Sequence, residues 1–486
     1  MKKLNLRLRI LTLAVFASFS FNAISQVGIG TLTPDASAML DLSSTEKGLL
    51  APRMTSAQRI AIASPIEGLL VYDITESAFY FYKSSAWTKL GSESRNNHKI
   101  IKSAADLSAE LTAGGGSKYL LSSNILYEIN GTITLAQSID LNNAYIAGID
   151  TNEDVLVKIG GTMFVGNTGG SIKNVTLSAP GGTIFNLSGS NTENIIFRDC
   201  FVANSGSVGS INGYGLVFLS VVQFVGNTAG ITYSNITDLL MSNTGWSASN
   251  GGTYETFTGT FGFIEKQGGF SKVDGSAIGV DFSSNPVVNE GVLTGTSFSG
   301  TSAQYVKGYT VGSYTGFNFN NAWTVNCPGI PVESDQVASG NIYYDGSITN
   351  GFGQTFNNGN ARNLAGNSNT NSTTAVNLMR VSSPVDNRIT YLGKKTRTFQ
   401  INASLSIRGE NGLGNYYAFF IRKNGSTTLT ETNTLMRVNN VDDVSSNSIT
   451  GTVELDPNDY IEIWVKRLTG TGSTEIAVFS LNLNMK

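Results

Sequence analysis

The chain is poor in charge, histidine, cysteine and proline. Lys, Arg, Asp and Glu together make up 14% of its 486 residues, against the usual quarter. The formal net charge is −3 and no basic stripe is visible, so nucleic acid is not an expected partner. There is one histidine, His98, which excludes paired-histidine metal sites and leaves a Ser-His-Asp triad a single candidate base. No G-x-S-x-G elbow, P-loop, C-x-x-C or dinucleotide fingerprint occurs. Two cysteines, Cys200 and Cys327, are too few for a disulfide framework. Cys200 lies in the strand-like run Ile195–Val202, and a small buried hydrophobe is the expected role. No cofactor and no metal are expected. Asp150-Thr151-Asn152-Glu153-Asp154 opens like a calcium loop, but Val155 and Gly161 stand where the loop needs glycine and a bidentate glutamate.

What fills the chain instead is Gly (54 residues), Asn, Ser and Thr, with only 9 prolines. That balance suits short strands and tight turns and disfavours helical bundles. At the start, Lys2, Lys3, Arg7 and Arg9 precede an apolar run over Ile10–Phe21, and Ala23-Ile24-Ser25 offers small residues to a signal peptidase. Cleavage before Gln26 is predicted. The apolar run is shorter than the ~20 residues a membrane span needs, and no later span is expected. Localisation is therefore predicted to be secreted or at the cell surface.

Five regions follow, giving an all-β expectation, of which three are domains: a small mixed N-terminal module (26–95), a parallel β-helix (118–340), and an antiparallel jelly-roll sandwich at the C-terminus (387–486). A linker (96–117) carrying His98 and a short helix near Ala104–Leu111, and a connecting stretch (341–386), complete the plan. In the first region Thr55 or Ser56 is expected to cap a short helix ended by Pro65. Two strands follow, at Gly68–Asp73 and Ala78–Tyr82. The region is too small and glycine-punctuated to hold a deep core without partner chains. Val27-Gly28-Ile29-Gly30-Thr31, Lys47-Gly48-Leu49-Leu50-Ala51-Pro52-Arg53-Met54-Thr55, Ala57-Gln58-Arg59, Gly68–Asp73 and Trp87 resemble the N-terminal module of exported Bacteroidetes surface proteins and related phage tail-fibre proteins. That resemblance implies display at a surface ahead of variable C-terminal domains.

In the central region short β-branched and aromatic runs alternate with Gly, Asn and Ser, as in Ile172–Leu177, Ile184–Leu187 and Leu216–Leu219. Phe164-Val165-Gly166-Asn167-Thr168 recurs as Phe224-Val225-Gly226-Asn227-Thr228, which reads as three rungs of about 20 residues. Asn174-Val175 and Asn194-Ile195 read as one rung apart. Stacked coils need Asn and Gly at corners, because these residues tolerate left-handed backbone angles. An antiparallel sandwich is the rival architecture. The texture is similar to that of phage tailspikes and pectate-lyase-like proteins.

At the C-terminus Phe399, Ile401, Ala403, Leu405 and Ile407 alternate with polar residues, and Asn424-Gly425 is a hairpin turn. Tyr417–Ile421, Lys423-Asn424-Gly425, Leu455–Tyr460 and Val478–Leu483 resemble the globular heads of the complement and tumour-necrosis-factor class. The resemblance implies a trimeric, partner-binding head without catalysis.

Asp199, Asp238 and Asp281 are the central region's candidate carboxylates for glycan cleavage, though nothing in the sequence pairs them. Aromatics flanked by small polar residues are the better lead, since an exposed ring with neighbouring amides makes a sugar platform. Tyr343, Tyr344, Tyr416 and Trp246 are the candidate ligand-binding residues. The expectation is an exported homotrimeric adhesin or fibre that binds a surface glycan or protein and is not an enzyme. The alternatives are a β-helix polysaccharide lyase or hydrolase and a structural phage or filament component.

Overall fold

A computed structural model describes residue 10 and residues 26–91, 96–357, 359–366 and 371–486. Apart from Ile10, the proposed signal peptide lies outside the described residues. The chain divides into two compact units, at Met1–Arg95 and Asn96–Lys486.

In the first unit Val27–Ile29 pairs in parallel with Leu40–Leu42. The strands Arg53–Met54, Leu70–Asp73, Ala78–Lys83 and Ala86–Lys89 form a four-stranded sheet in chain order. Thr55 caps the helix Ser56–Ile60 through a capping box with Gln58. The buried Arg59 donates from Nε to Asp73 at 2.8 Å and lies 3.8 Å from the centre of the Tyr80 ring. Burial pushes the Asp73 carboxyl up, but Arg59 and the backbone N–H groups of Thr75 and Glu76 outweigh it and hold the group down to about 2. Apolar packing is thin. Among the described residues of this unit the buried hydrophobic ones are Ala51, Val71 and Tyr80, whereas Leu32, Met39, Leu49, Leu50, Ile60 and Ile66 are all exposed.

The second unit opens with a parallel β-solenoid of three faces. The first face stacks ten strands from His98–Ile101 to Trp323–Asn326, and the third stacks nine from Lys118–Leu120 to Val306–Lys307. The second face runs from Thr132–Thr134 to Ser297–Ser299. Inward columns make the core. On the first face Tyr127, Ile146, Ile172, Phe197, Leu219 and Met241 stand in register. On the second, Leu177, Val202, Phe224 and Trp246 do so. Aromatic rings stack along the axis: Trp246 lies 4.0 Å from Phe224 and 5.0 Å from Tyr254, both nearly parallel to it.

Several expectations need correction. The rungs are longer than expected in places and uneven in length. Equivalent positions pair His98 with Leu126, Leu126 with Tyr145, Tyr145 with Ser171 and Val217 with Leu239, so the step along the chain rises and falls from rung to rung. Phe164 stands on the third face and Phe224 on the second, so their matching pentapeptides are not stacked equivalents. Asn174 follows Lys173, whose partner is Arg198, so its equivalent is Asp199 and not Asn194. The stretch 96–117 carries the solenoid's first strand and the helix Ser108–Ala113.

Two antiparallel six-stranded sheets follow the solenoid. One has the order Thr374–Met379, Ser339–Asp345, Ser473–Met485, Arg397–Gly409, Val444–Leu455, with Phe352–Asn357 also pairing with Ser473–Met485. The other has Val381–Ser382, Arg388–Tyr391, Tyr460–Arg467, Tyr416–Lys423, Thr427–Arg437, with Ala361–Asn363 also pairing with Tyr460–Arg467. Their inner faces share one core, which includes Phe399, Ile401, Tyr417, Phe419 and Ile463. Asn424 and Gly425 take positive φ at the expected hairpin. The stretch 341–386 supplies strands to these sheets, because Ser339–Asp345 pairs with the last strand of the chain.

Buried Arg380 ties this head to the solenoid. It donates to Asp335 at 2.6 Å and to the carbonyls of Trp323 and Glu333.

Candidate functional site

The corner between the first and second solenoid faces is built by one repeated backbone conformation. Lys173, Arg198, Ser220, Ser242, Gln267 and Thr294 stack in register. The residue after each has a positive φ: Asn174, Asp199, Val221, Asn243, Gly268 and Gly295, all between 53° and 68°. Asn and Gly are the natural occupants of this region. Val221 is not, because a β-branched side chain there is a steric outlier, and it is also exposed.

Two shallow clefts lie along this corner. One, of about 390 Å³, is lined by Asp150, Asn174, Asp199, Phe201, Val221 and Gln223 among others. The second, of about 410 Å³, is lined by Asn243, Gln267, Gly268 and Thr294 among others. The first offers two carboxylates, two amides and the exposed ring of Phe201 (39% accessible). An aromatic face beside amides and carboxylates is the combination that holds a sugar by stacking and hydrogen bonding. Cys200 borders this cleft, but burial pushes its thiol up to about 12 and it is not a nucleophile. Both cysteines are free and buried, and for Cys200 this is the role the sequence suggested.

The four aromatic candidates are not brought together. Trp246 is fully buried in the solenoid, and Tyr344 is buried in the head against Phe352. Neither presents a ring to a ligand, because both were drawn into the apolar interior that their size favours. Tyr343 and Tyr416 are exposed at 37% and 41%, but they stand in different sheets of the head. Arg437 lies 5.7 Å from the Tyr416 ring.

The three aspartates are also separated. Asp199 sits at the corner and Asp238 on the outward side of the first face. Asp281 sits on the third face, where it pairs with Lys307 at 3.2 Å and with the Ser283 backbone. Burial raises Asp281, but these partners hold it below the usual carboxylate range.

A closer group of acids escaped the sequence. On the first face Phe263 stands opposite both Asp238 and Glu290, and Glu265 stands opposite Val292. Asp238, Glu265 and Glu290 therefore share one outward face over three consecutive rungs. Because Glu290 faces Phe263 and Glu265 faces Val292, the two glutamates are diagonal neighbours on adjacent strands. Only the true register reveals this.

A polar layer crosses the solenoid interior. Glu255 points inward from the third face, Lys266 from the first and Ser271 from the second. Lys266 Nζ donates to Glu255 at 3.1 Å and to Thr244 at 2.8 Å. Being sealed inside, this pair is structural. No group of three or more potential metal ligands occurs among the described residues, and no helix there is long and apolar enough to cross a membrane.

Residues 28–104 match the family described as a phage tail like trimerisation region. No curated protein matches the chain. Among solved structures, the chain is similar to bacteriophage CBA120 tailspike protein 4, described as an enzymatically active domain. That likeness has 10% identity and a TM-score of 0.23, covering 90% of this chain and 77% of that one. The tailspike protein of Acinetobacter baumannii phage AM24 gives 10% identity and a TM-score of 0.25, covering 86% and 91%. Murine APRIL gives 8% identity and 0.20, covering 30% of this chain and 98% of that one. All three likenesses are distant. The expectation that the chain is not an enzyme is nevertheless corrected, because a neighbour in this comparison is itself described as enzymatically active.

Proposed function

We propose that the chain is a trimeric, receptor-binding, tail-fibre-like protein displayed outside the cell, with a glycan as its ligand. The observation that carries this reading is the N-terminal unit. It leaves most of its large apolar residues in water and overlaps the match to a trimerisation region. A module with that surface needs partner chains to cover it. The solenoid supplies a stiff shaft, and its corner cleft around Phe201 offers the stacking ring, carboxylates and amides that a saccharide requires. The strand order of the head supports a jelly roll, with Tyr343 and Tyr416 as exposed contacts for a second ligand.

A second reading is supported by Asp238, Glu265 and Glu290 on consecutive rungs. Two carboxylates flanking a glycosidic bond are what its hydrolysis requires, and Phe263 between them offers a ring for a sugar.

One experiment addresses both readings. The purified full chain is weighed by light scattering and applied to a glycan array, and any bound glycan is incubated with it and analysed for products. A mass of three chains with glycan retention supports the fibre, and Phe201→Ala then weakens the retention. Shortened products that disappear in Glu265→Gln or Glu290→Gln support cleavage. A monomer that retains no glycan overturns the proposal.

A further inference from the structure

The three solenoid faces differ in what they turn outward. On the third face the outward column reads Val165, then Asn186, Ser210, Thr232, Thr256, Asp281 and Lys307, polar after its first member. On the second it is mixed, with Thr176, Phe201, Gln223, Gly245 and Phe270 in line. On the first, after His98, it reads Leu126, Tyr145, Ser171, Ile196, Phe218 and Leu240, with Ser171 as the one small polar member of that run. Tyr145 is exposed and the others are half-buried, shielded only in part by the rungs above and below. Five rung steps of about 4.8 Å make this an apolar strip ~24 Å long, parallel to the shaft. It stops at Glu265, the next residue in the column.

Water-facing strands ordinarily alternate apolar-in and polar-out. The third face obeys that rule from Asn186 onward, whereas this column of the first face breaks it beside a polar neighbouring column of Lys173, Arg198, Ser220 and Ser242. The difference therefore lies in what each face meets.

We infer that the first face packs against the same face of two further copies of this chain, in parallel and in register. The inference rests on the trimeric reading and specifies where the copies touch. Continuity identifies the occupant. The match to a trimerisation region runs to residue 104, and the strand it includes in the second unit, His98–Ile101, is the first strand of this very face. An association that starts there continues along Leu126 to Leu240 without changing face. Parallel copies around a shared axis bring equal heights together, so a straight apolar column meets itself. The strip ends where Glu265 and Glu290 begin, which places those acids where the copies part.

The test uses the full chain with Leu240→Cys and, from the third-face strand that immediately precedes it, Thr232→Cys. The native thiols are buried, and the unsubstituted chain reports their background. Each variant is treated under native conditions with a fluorescent maleimide and, separately, with a short bismaleimide. Light scattering of the unsubstituted chain is run alongside. The inference expects Leu240→Cys to lose most of its labelling relative to Thr232→Cys and to give covalent dimers on a denaturing gel. A trimer in which Leu240→Cys labels as readily as Thr232→Cys and does not cross-link overturns the inference and leaves the trimeric reading standing. A monomeric unsubstituted chain overturns both.

Discussion

The N-terminal unit and the solenoid solve the same problem in opposite ways. Both are built from short strands with glycine-rich turns. The solenoid buries its large side chains against its own next rung, so every inward column is sealed. The N-terminal unit has no next rung, and Leu32, Leu49, Leu50 and Ile66 stay in solvent. Repetition along one chain and association between chains are thus alternative sources of the same apolar contact. A short module without repetition must use the second.

The largest effect that would break this contrast concerns independence. A peptide spanning residues 26–95 should lose its circular dichroism signature on dilution, because its core comes from other copies. A chain starting at residue 96 should keep its β signature at every concentration. A dilution series decides, and a concentration-independent signal from the peptide would remove the contrast.

Next in size is the polar layer. Lys266→Met should destabilise the solenoid by about 3–5 kcal/mol, because Glu255 is left charged and buried, whereas Lys266→Met with Glu255→Met should recover most of the loss. Urea melts of the three proteins test this. A smaller effect of opposite sign is expected at the corner. Val221→Asn should stabilise by about 1 kcal/mol, since a β-branched residue at positive φ is strained and asparagine accepts that backbone. A lowered melting temperature would count against strain at that site.

Acid should separate the two units in a defined order. The Asp73 carboxyl is held at about 2 against an ordinary 3.8. Its contribution is fully present above pH 3.8 and is lost as pH falls through about 2. Loss of the N-terminal unit's near-ultraviolet signal should therefore sharpen within that window, and Asp73→Asn should flatten the dependence. The smallest effect is on the thiols. Cys200 and Cys327 should resist maleimide at pH 8 until the solenoid unfolds, because burial keeps both protonated.

Much of the fold is legible in the sequence because it rests on local rules. Alternation marked Phe399–Ile407, Asn-Gly marked the hairpin, and Asn and Gly marked the corners. Rung length is not a local property. It depends on corner loops, which vary freely at the surface, so counting from Phe164 to Phe224 failed even though the architecture was right. The site suffered for the same reason. Which acids meet on one face depends on register, and Glu265 and Glu290 become visible as neighbours only once Ile264 is known to face Gly291. Trp246 misled because its glycine and serine neighbours signal turns and say nothing about which way a ring points, and Tyr344 because adjacent residues of one strand face opposite ways, Tyr343 outward and Tyr344 inward.

The Glu255–Lys266 pair has a further consequence for how the chain finds its fold. Successive coils present similar apolar edges, and a nascent chain could seat one coil a step too far along and still bury many of its side chains. A lone cation at one height that requires a lone carboxylate at the same height removes that degeneracy. The pair acts as an indexing pin: it contributes little net binding energy, but it gives the shaft a fixed length.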